Sequence, residues 1–370
     1  MMKKMSLLIY IVFTVLATMS HAGTKQCEAI FAVSKVRKNK VQSATGLFIE
    51  HTEQPKKLVL SFIDYKEPLI SIRFQILKEF LLNTPDSELV LMIYDERTKT
   101  EINNFVLKFK PDYNLKNIKF IKSVTYGDSI WTRDYSPVAF VDQAGNSKSL
   151  IFNYNRDGVD YFKDQTLLAK ALKLPLEKIN LNLEGGNLLS DESGRLYVSV
   201  AAIENNLVAG FSKTEFENKK AEFEDVFLNK MAAKEVVWLP RVLHELEGTG
   251  HVDMYIRFLS DNYVVVASST NLKINKTLDQ IAKIISEKGF NVTRIVANAK
   301  MVNKFRPQNI FPSYTNSILI GKTIFIPKFG VAEDSKAVKI YEKLGYKVIQ
   351  ISGQSIDFGG SVHCMTYLYP

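Results

Sequence analysis

From about residue 126 onward the apolar positions change their period in a fixed order. A charged or Gly-rich signature opens two alternating segments joined by a turn, a 3.6-residue helical pattern follows, and a short apolar strand closes the unit. The first unit reads WTRDYSPVAF, turn DQAGN, SLIFNYN, helix FKDQTLLAKALKL and strand KINLNL. The second opens at LEGGN, turns at DESGR, runs through LYVSVAAI and the helix KTEFENKKAEFEDVFLNK, and ends at EVVWLP. The third takes GTGHVDMYIRFL, turn SDN, YVVVAS, helix NKTLDQIAKIISEKGF and NVTRIVA; the fourth takes YTNSILI, turn GK, TIFIPKF, helix DSKAVKIYEKLGY and KVIQI. A less regular early copy is visible in GLFIE, KKLVLSFID, the helix around SIRFQILKEFLL, and ELVLMIYD.

These are five ββαβ repeats of an α/β chain. Two helices share an exit, EKGFNV and KLGYKV, where Gly289 and Gly345 can adopt the left-handed conformation that ends a helix. Repeats of roughly 50 to 80 residues imply a solenoid or a closed ring. The signatures begin at Trp131, Glu184, Gly248 and Tyr314, the same place in each unit, and that favours a ring. Equivalent positions then converge on one axis, and the chain end returns beside its start. The expected fold is a five-bladed pseudosymmetric α/β propeller.

Composition changes this picture only at the N-terminus. Residues 1–22 combine Lys3 and Lys4, an apolar stretch from Leu7 to about Leu16, and the small pair Ser20 and Ala22 around a candidate cut. That is the pattern of a secretory signal peptide, and the stretch is short of the roughly 20 apolar residues of a membrane span. An exported chain, periplasmic or extracellular, with no stable membrane association after cleavage is expected. The organisation is then a signal peptide at 1–22, an N-terminal arm at 23–44 and a single catalytic domain at 45–370. Hydrophobic residues make up 46% of the chain, enough for a large core. The net charge of +9 is mostly interleaved with acids, and its densest run, SKVRKNK with Lys35, Arg37, Lys38 and Lys40, suits a solvated arm as well as an anionic partner. No nucleic-acid partner is expected.

Three signatures carry reactive groups. WTRD supplies Trp131, Arg133 and Asp134; GTGHVD supplies His251 and Asp253; the terminal GGSVHC supplies Gly360, His363 and Cys364. Residues two apart on a strand share a face, so His251 and Asp253 would aim into one space, while His363 would point away from Cys364. An isolated H-x-D is most simply a buried histidine bonded to an acid. Zinc is a poor match for HELEGTGH, because His244 and His251 are not at the four-residue spacing of a metalloprotease helix. A disulfide between Cys27 and Cys364, the two cysteines of the chain, is the bland account of the terminal motif. With Cys364 on the ring axis, a nucleophilic thiolate and a proton-transferring histidine become the better account. Two carboxylates, Asp134 and Asp253, fit a planar guanidinium with its five N–H donors. One such contact at about 4 Å contributes roughly 4 kcal/mol of Coulomb attraction at an effective dielectric near 20, before desolvation. A Cys-His amidase has no need of that acidic pair, and a propeller that only binds basic peptides has no need of a nucleophile.

W-x-R-D, L-E-G-G-N, G-H-V-D and terminal G-G-x-x-H-C resemble, in order, spacing and type, the bacterial Porphyromonas-type peptidylarginine deiminase and agmatine deiminase family of the guanidine-modifying superfamily. The resemblance runs from about residue 45 to the end. It implies a five-bladed pseudosymmetric α/β propeller, in agreement with the five repeats, and a hydrolase that releases ammonia from a guanidine group without metal or organic cofactor. It makes Cys364 the nucleophile, His251 the general acid and base, Asp134 and Asp253 the guanidinium grip, and Glu184 the group that orients His251. Gly359 and Gly360 would let backbone approach the substrate, with Trp131 as a wall along its aliphatic stem and Arg133 beside it. Arg156 could pair with a substrate carboxylate that agmatine lacks, or simply with Asp157 or Asp160. Asn316 could bond a peptide backbone, or cap a turn. Peptidyl-arginine is the expected substrate given the export signal, with agmatine as the alternative.

Overall fold

The blade holding the third repeat shows how the sequence makes the unit. Its central strand, Tyr263–Ser269, carries Val264, Val265, Val266 and Ala267, all buried, because both faces are covered. It pairs antiparallel with Ile256–Ser260 and parallel with Asn291–Ala297. The crossover is the helix Leu272–Glu287, started by Asn271, whose side chain accepts from the Lys273 and Ile274 amides. Ile274, Leu278, Ile281 and Ile285 bury one face of it. Gly289 ends it at φ +96°, and Gly345 does the same at φ +86° in the next blade, as the shared punctuation predicts.

The computed structural model describes residues 46–48, 57–63, 66–125, 130–156, 159–242, 249–297 and 311–369. The predicted signal peptide, Cys27, the basic run and His244 lie outside them. Ala44–Pro370 form one unit. Within it three sheets have the plain three-strand order: Leu189–Ser190, Arg195–Ser199 and Glu235–Leu239; Ile256–Ser260, Tyr263–Ser269 and Asn291–Ala297; Ile318–Ile320, Thr323–Lys328 and Lys347–Ser352. In each the first pair is antiparallel and the second parallel. A fourth sheet builds the same unit from Val138–Val141, Ser147–Asn153 and Leu176–Asn182. The five-bladed propeller is the fold of this chain.

The fifth sheet closes the ring. Tyr367–Tyr369, at the chain end, lies antiparallel to Lys57–Phe62, which runs parallel to Glu88–Ile93. This blade differs from the pattern in two ways. It continues through the helix Glu96–Phe109 into a further parallel strand, Ile118–Lys122, which the repeat does not predict. GLFIE, expected to belong here, instead pairs through Gly46 and Leu47 with Val141 and Phe140 of the next blade. The antiparallel slot beside Lys57–Phe62 is taken by the chain terminus, whereas Val138–Val141 offers an outer edge that Gly46 and Leu47 cover.

The signatures correct a second expectation. None is a strand; each is a tight turn directly before the first strand of its blade. Asp134 lies in the one-turn helix Thr132–Tyr135, Glu184 precedes the 3-10 turn Gly185–Asn187, and His251 precedes the 3-10 turn Val252–Met254. Asn316 sits in the turn before Ile318–Ile320, and Cys364 in the turn before Tyr367–Tyr369. Alternating hydrophobic and polar residues mimic a period of two here, but the chain closes i to i+3 hydrogen bonds, as from Asp134 N to Trp131 O at 3.0 Å and from Thr366 N to His363 O at 3.0 Å. Turns bring more side chains of a short segment to the axis than a strand could.

Among the hydrogen bonds between the closing blade and its neighbour, the Ala139 amide donates to the Tyr367 hydroxyl at 3.1 Å. Tyr367→Phe strands that buried donor and is expected to cost about 1–3 kcal/mol, read as a lower midpoint of urea unfolding.

Candidate active site

Cys364 is held from three sides. Its Sγ receives the Asn316 side-chain N–H at 3.0 Å and lies 3.5 Å from Asp253 Oδ2. Its carbonyl accepts from the Arg133 amide at 3.1 Å. Asn316 Oδ1 accepts from the amides of His363, at 3.1 Å, and Cys364, at 3.3 Å. Thr132 Oγ1 donates to the Met365 carbonyl at 2.7 Å and Arg133 Nε to the Thr366 carbonyl at 3.1 Å, with the guanidinium 4.8 Å over the Tyr367 ring. The WTRD and YTNS turns therefore clamp the turn that carries the thiol. Gly360 fits between them: a Cβ there would sit 2.6 Å from Trp131 Cζ3 and 2.9 Å from Cys364 Cβ.

His251 lies between two carboxylates. Nε2 is 2.6 Å from Glu184 Oε2, and Nδ1 is 3.5 Å from Asp134 Oδ1. Asp134 Oδ1 also accepts from the Gly186 amide at 3.1 Å. Gly186 shows why LEGGN needs its glycines. A Cβ on it would stand 2.6 Å from His251 Nδ1, 2.9 Å from Asp134 Oδ1 and 3.2 Å from Asp253 Oδ2, so these three polar atoms surround one backbone position. On Gly185 a Cβ would collide with the Arg133 carbonyl at 2.1 Å. Asp253, fully buried, has Oδ2 2.7 Å from His363 Nδ1, and its Oδ1 has no hydrogen-bond partner among the described residues.

The charges follow from these contacts. Burial disfavours the His251 imidazolium, but Asp134, Glu184 and Asp253 outweigh it and raise the pKa to about 10. Burial opposes the Asp253 carboxylate too, yet the His363 contact, His251 and Arg133 hold its pKa below the ordinary value. Burial, then the negative charges of Asp253 and Asp134, push the Cys364 thiol well up, against weaker help from hydrogen bonds with Ser361 and Asn316. The resting site is a neutral thiol and an imidazolium beside carboxylates.

The sequence-predicted residues divide accordingly. Cys364, His251, Asp134, Asp253 and Glu184 come together. Trp131 lies over Gly360 in the same cluster. Arg133, expected beside the substrate, braces the terminal turn instead. Asn316, with a peptide-backbone contact and a turn cap as its two expected roles, caps the amides of His363 and Cys364 and bonds the thiol, because its turn abuts the terminal one. Arg156 has its backbone in the short pair Asn155–Arg156 with Val159–Asp160, and its side chain lies outside the described part. His363 does not point away, since a turn rather than a strand presents it; its reach to Asp253 was hidden behind that assignment. Asp134, Glu184 and His251 have the composition of a metal site. Glu184 and Asp134 face opposite ring nitrogens, so a protonated imidazole already supplies the cation between them.

A buried thiol, an imidazolium and two carboxylates on a pseudosymmetric propeller define a class, the cysteine hydrolases of guanidine and amidine C–N bonds. Residues 69–370 match the Porphyromonas-type peptidyl-arginine deiminase family, and the chain belongs to it. A Selenomonas ruminantium protein assigned as an agmatine deiminase is 24% identical over 322 residues, covering 76% of this chain and 83% of its own. Two solved structures share the fold. One is a protein of Porphyromonas gingivalis assigned as an arginine deiminase, with TM-score 0.71 and 18% identity over 88% of this chain and 98% of that one. The other is the agmatine deiminase of C. jejuni, with TM-score 0.67 and 21% identity over 90% and 98%.

Gly186→Ala forces His251 or Asp134 to move by about an ångström, a displacement that costs on the order of a hundredfold in rate. The expected result is that loss in kcat/KM with an unchanged far-UV circular dichroism spectrum.

Proposed function

We propose that this deiminase converts peptidyl-arginine to peptidyl-citrulline through a covalent intermediate on Cys364, in an exported setting. The observation that carries the reaction is the buried Asp253 Oδ1, without a hydrogen-bond partner among the described residues, on the carboxylate whose Oδ2 lies beside the thiol. A buried anionic oxygen without a donor is costly unless a ligand supplies one. A guanidinium has N–H groups for Asp253 and Asp134 together, and its positive charge offsets the two carboxylates that keep Cys364 protonated. Binding therefore lowers the thiol pKa where the nucleophile is needed.

The Cys364 thiol then gives up its proton to solvent, and the sulfur adds to the guanidinium carbon as the C=N π electrons move onto nitrogen. Glu184 holds Nε2 of His251, leaving Nδ1, on the side of Asp134 and Gly186, to pass its proton to the departing ammonia. The remaining S-alkyl thiouronium is attacked by water that the now neutral His251 deprotonates. Collapse breaks the C–S bond, returns the thiol and leaves the ureido group. Asp134 and Asp253 hold the nitrogens throughout.

Peptidyl-arginine is supported by the description of the family that residues 69–370 match and by the signal-peptide pattern of residues 1–22. Agmatine is the second reading, favoured by the assignments of relatives such as the Selenomonas ruminantium protein. Incubation with peptides bearing internal or C-terminal arginine, with free arginine and with agmatine separates them by ureido product and ammonia. Peptides are expected to turn over best, and Cys364→Ala to be inactive; product from agmatine alone would reverse the substrate choice. The general acid is charged below its raised pKa and is lost as the pH climbs through about 10, while the neutral thiol must ionise to react, so kcat/KM should rise with pH across neutrality and fall on that alkaline side. A decline already centred near the ordinary histidine pKa of about 6.5 would contradict the carboxylate-bound imidazolium.

A further inference from the structure

One of the two histidines at the site has no part in the proposed reaction. His363 is fully buried, precedes the nucleophile, and reaches Asp253 Oδ2 with Nδ1 at 2.7 Å. Its own amide is fixed by Asn316 Oδ1 at 3.1 Å. One residue thus links the carboxylate to the peptide that carries the thiol. The same Oδ2 is 3.5 Å from Cys364 Sγ. Without a donor on Oδ2, the carboxylate would be free to rotate and take the thiol hydrogen bond with either oxygen.

We infer that His363 is a positioning residue for deimination: its Nδ1–H engages one oxygen of Asp253 and so turns the other, Oδ1, toward the cation that binds beside Cys364. The inference rests on the deimination reading for the identity of that cation. The bond is geometrically specific because Nδ1, not Nε2, meets the carboxylate, and a charge-assisted hydrogen bond of this length is among the stronger kinds. The tie to Asn316 keeps the carboxylate in register with the sulfur, since both depend on the 361–365 turn. A purely packing role would need the volume of His363 but not its donor.

Asn tests this, because its side-chain nitrogen lies as many bonds from Cα as the imidazole Nδ1 does. Gln carries its nitrogen one methylene farther, and Leu has none. The probe is Cys364 alkylation at neutral pH by two reagents of similar size, cationic 2-chloroacetamidine and neutral iodoacetamide. In the wild type the cationic reagent is expected to react faster, because the carboxylates attract it to the thiol. His363→Leu and His363→Gln should lower the ratio of the two rates by about tenfold or more, the scale of one well-made charge-assisted contact, whereas His363→Asn stays within roughly threefold of wild type. In an Asp253→Asn background His363→Leu should make no further difference. Should His363→Leu not fold, as judged by circular dichroism, the Asn and Gln variants carry the comparison. Equal slowing with both reagents, or His363→Asn losing selectivity as fully as His363→Gln, overturns the inference. Alkylation does not require turnover, so a lack of ureido product would count against the function and leave this result standing on its own.

Discussion

A buried negative charge beside a protonated thiol is the constraint on which the site depends. Burial makes the Cys364 thiolate unfavourable in the resting protein, and Asp253, whose Oδ2 lies 3.5 Å from Sγ, adds to this together with Asp134. The same carboxylates make a cation welcome. In the proposed reaction such a site keeps its nucleophile quiet until a guanidinium arrives, and its selectivity for charged heads and its activation become one electrostatic event. His251 completes the balance: Glu184 and Asp134 keep it charged despite burial, so the acid is ready before the nucleophile is.

The propeller is what makes that density of charge affordable. No single turn could hold a thiol, an imidazole and three carboxylates together. Four turns, each set before the first strand of a blade, deliver them from segments far apart in sequence, and a fifth brings Asn316 to the thiol. Backbone contact between the turns needs glycine at Gly185, Gly186 and Gly360, where any side chain would meet the Arg133 carbonyl, His251 or Trp131. Ring closure matters for the same reason. Tyr367–Tyr369 docks on Lys57–Phe62 and so fixes the preceding turn, with Cys364, against Arg133 and Asn316.

Much of this was legible in the sequence because the repeats are locally consistent. Helix periodicity, turn pairs and the glycines after Lys288 and Leu344 mark the same unit several times, and the constancy of signature position implies an axis. The failures have one physical source, that short polar segments show no reliable period. His251 and Asp253 read as strand neighbours but belong to a 3-10 turn, and they still converge because the turn is short. His363 was misjudged for the same reason, and the partners of His363 and Asn316, Asp253 and Cys364, lie across the axis and leave no mark in local pattern. Gly46–Leu47 shows a different limit, since strand pairing depends on which edge the distant C-terminus leaves open.

Covalent chemistry at Cys364 is the central claim, and acid quenching during turnover followed by peptide mass analysis tests it most directly. The expected finding is a Cys364 adduct equal in mass to substrate less ammonia, transient in the native protein and missing from Cys364→Ala. Steady release of ureido product with Cys364 unmodified at every quench time, and continued turnover in the alanine variant, would contradict it.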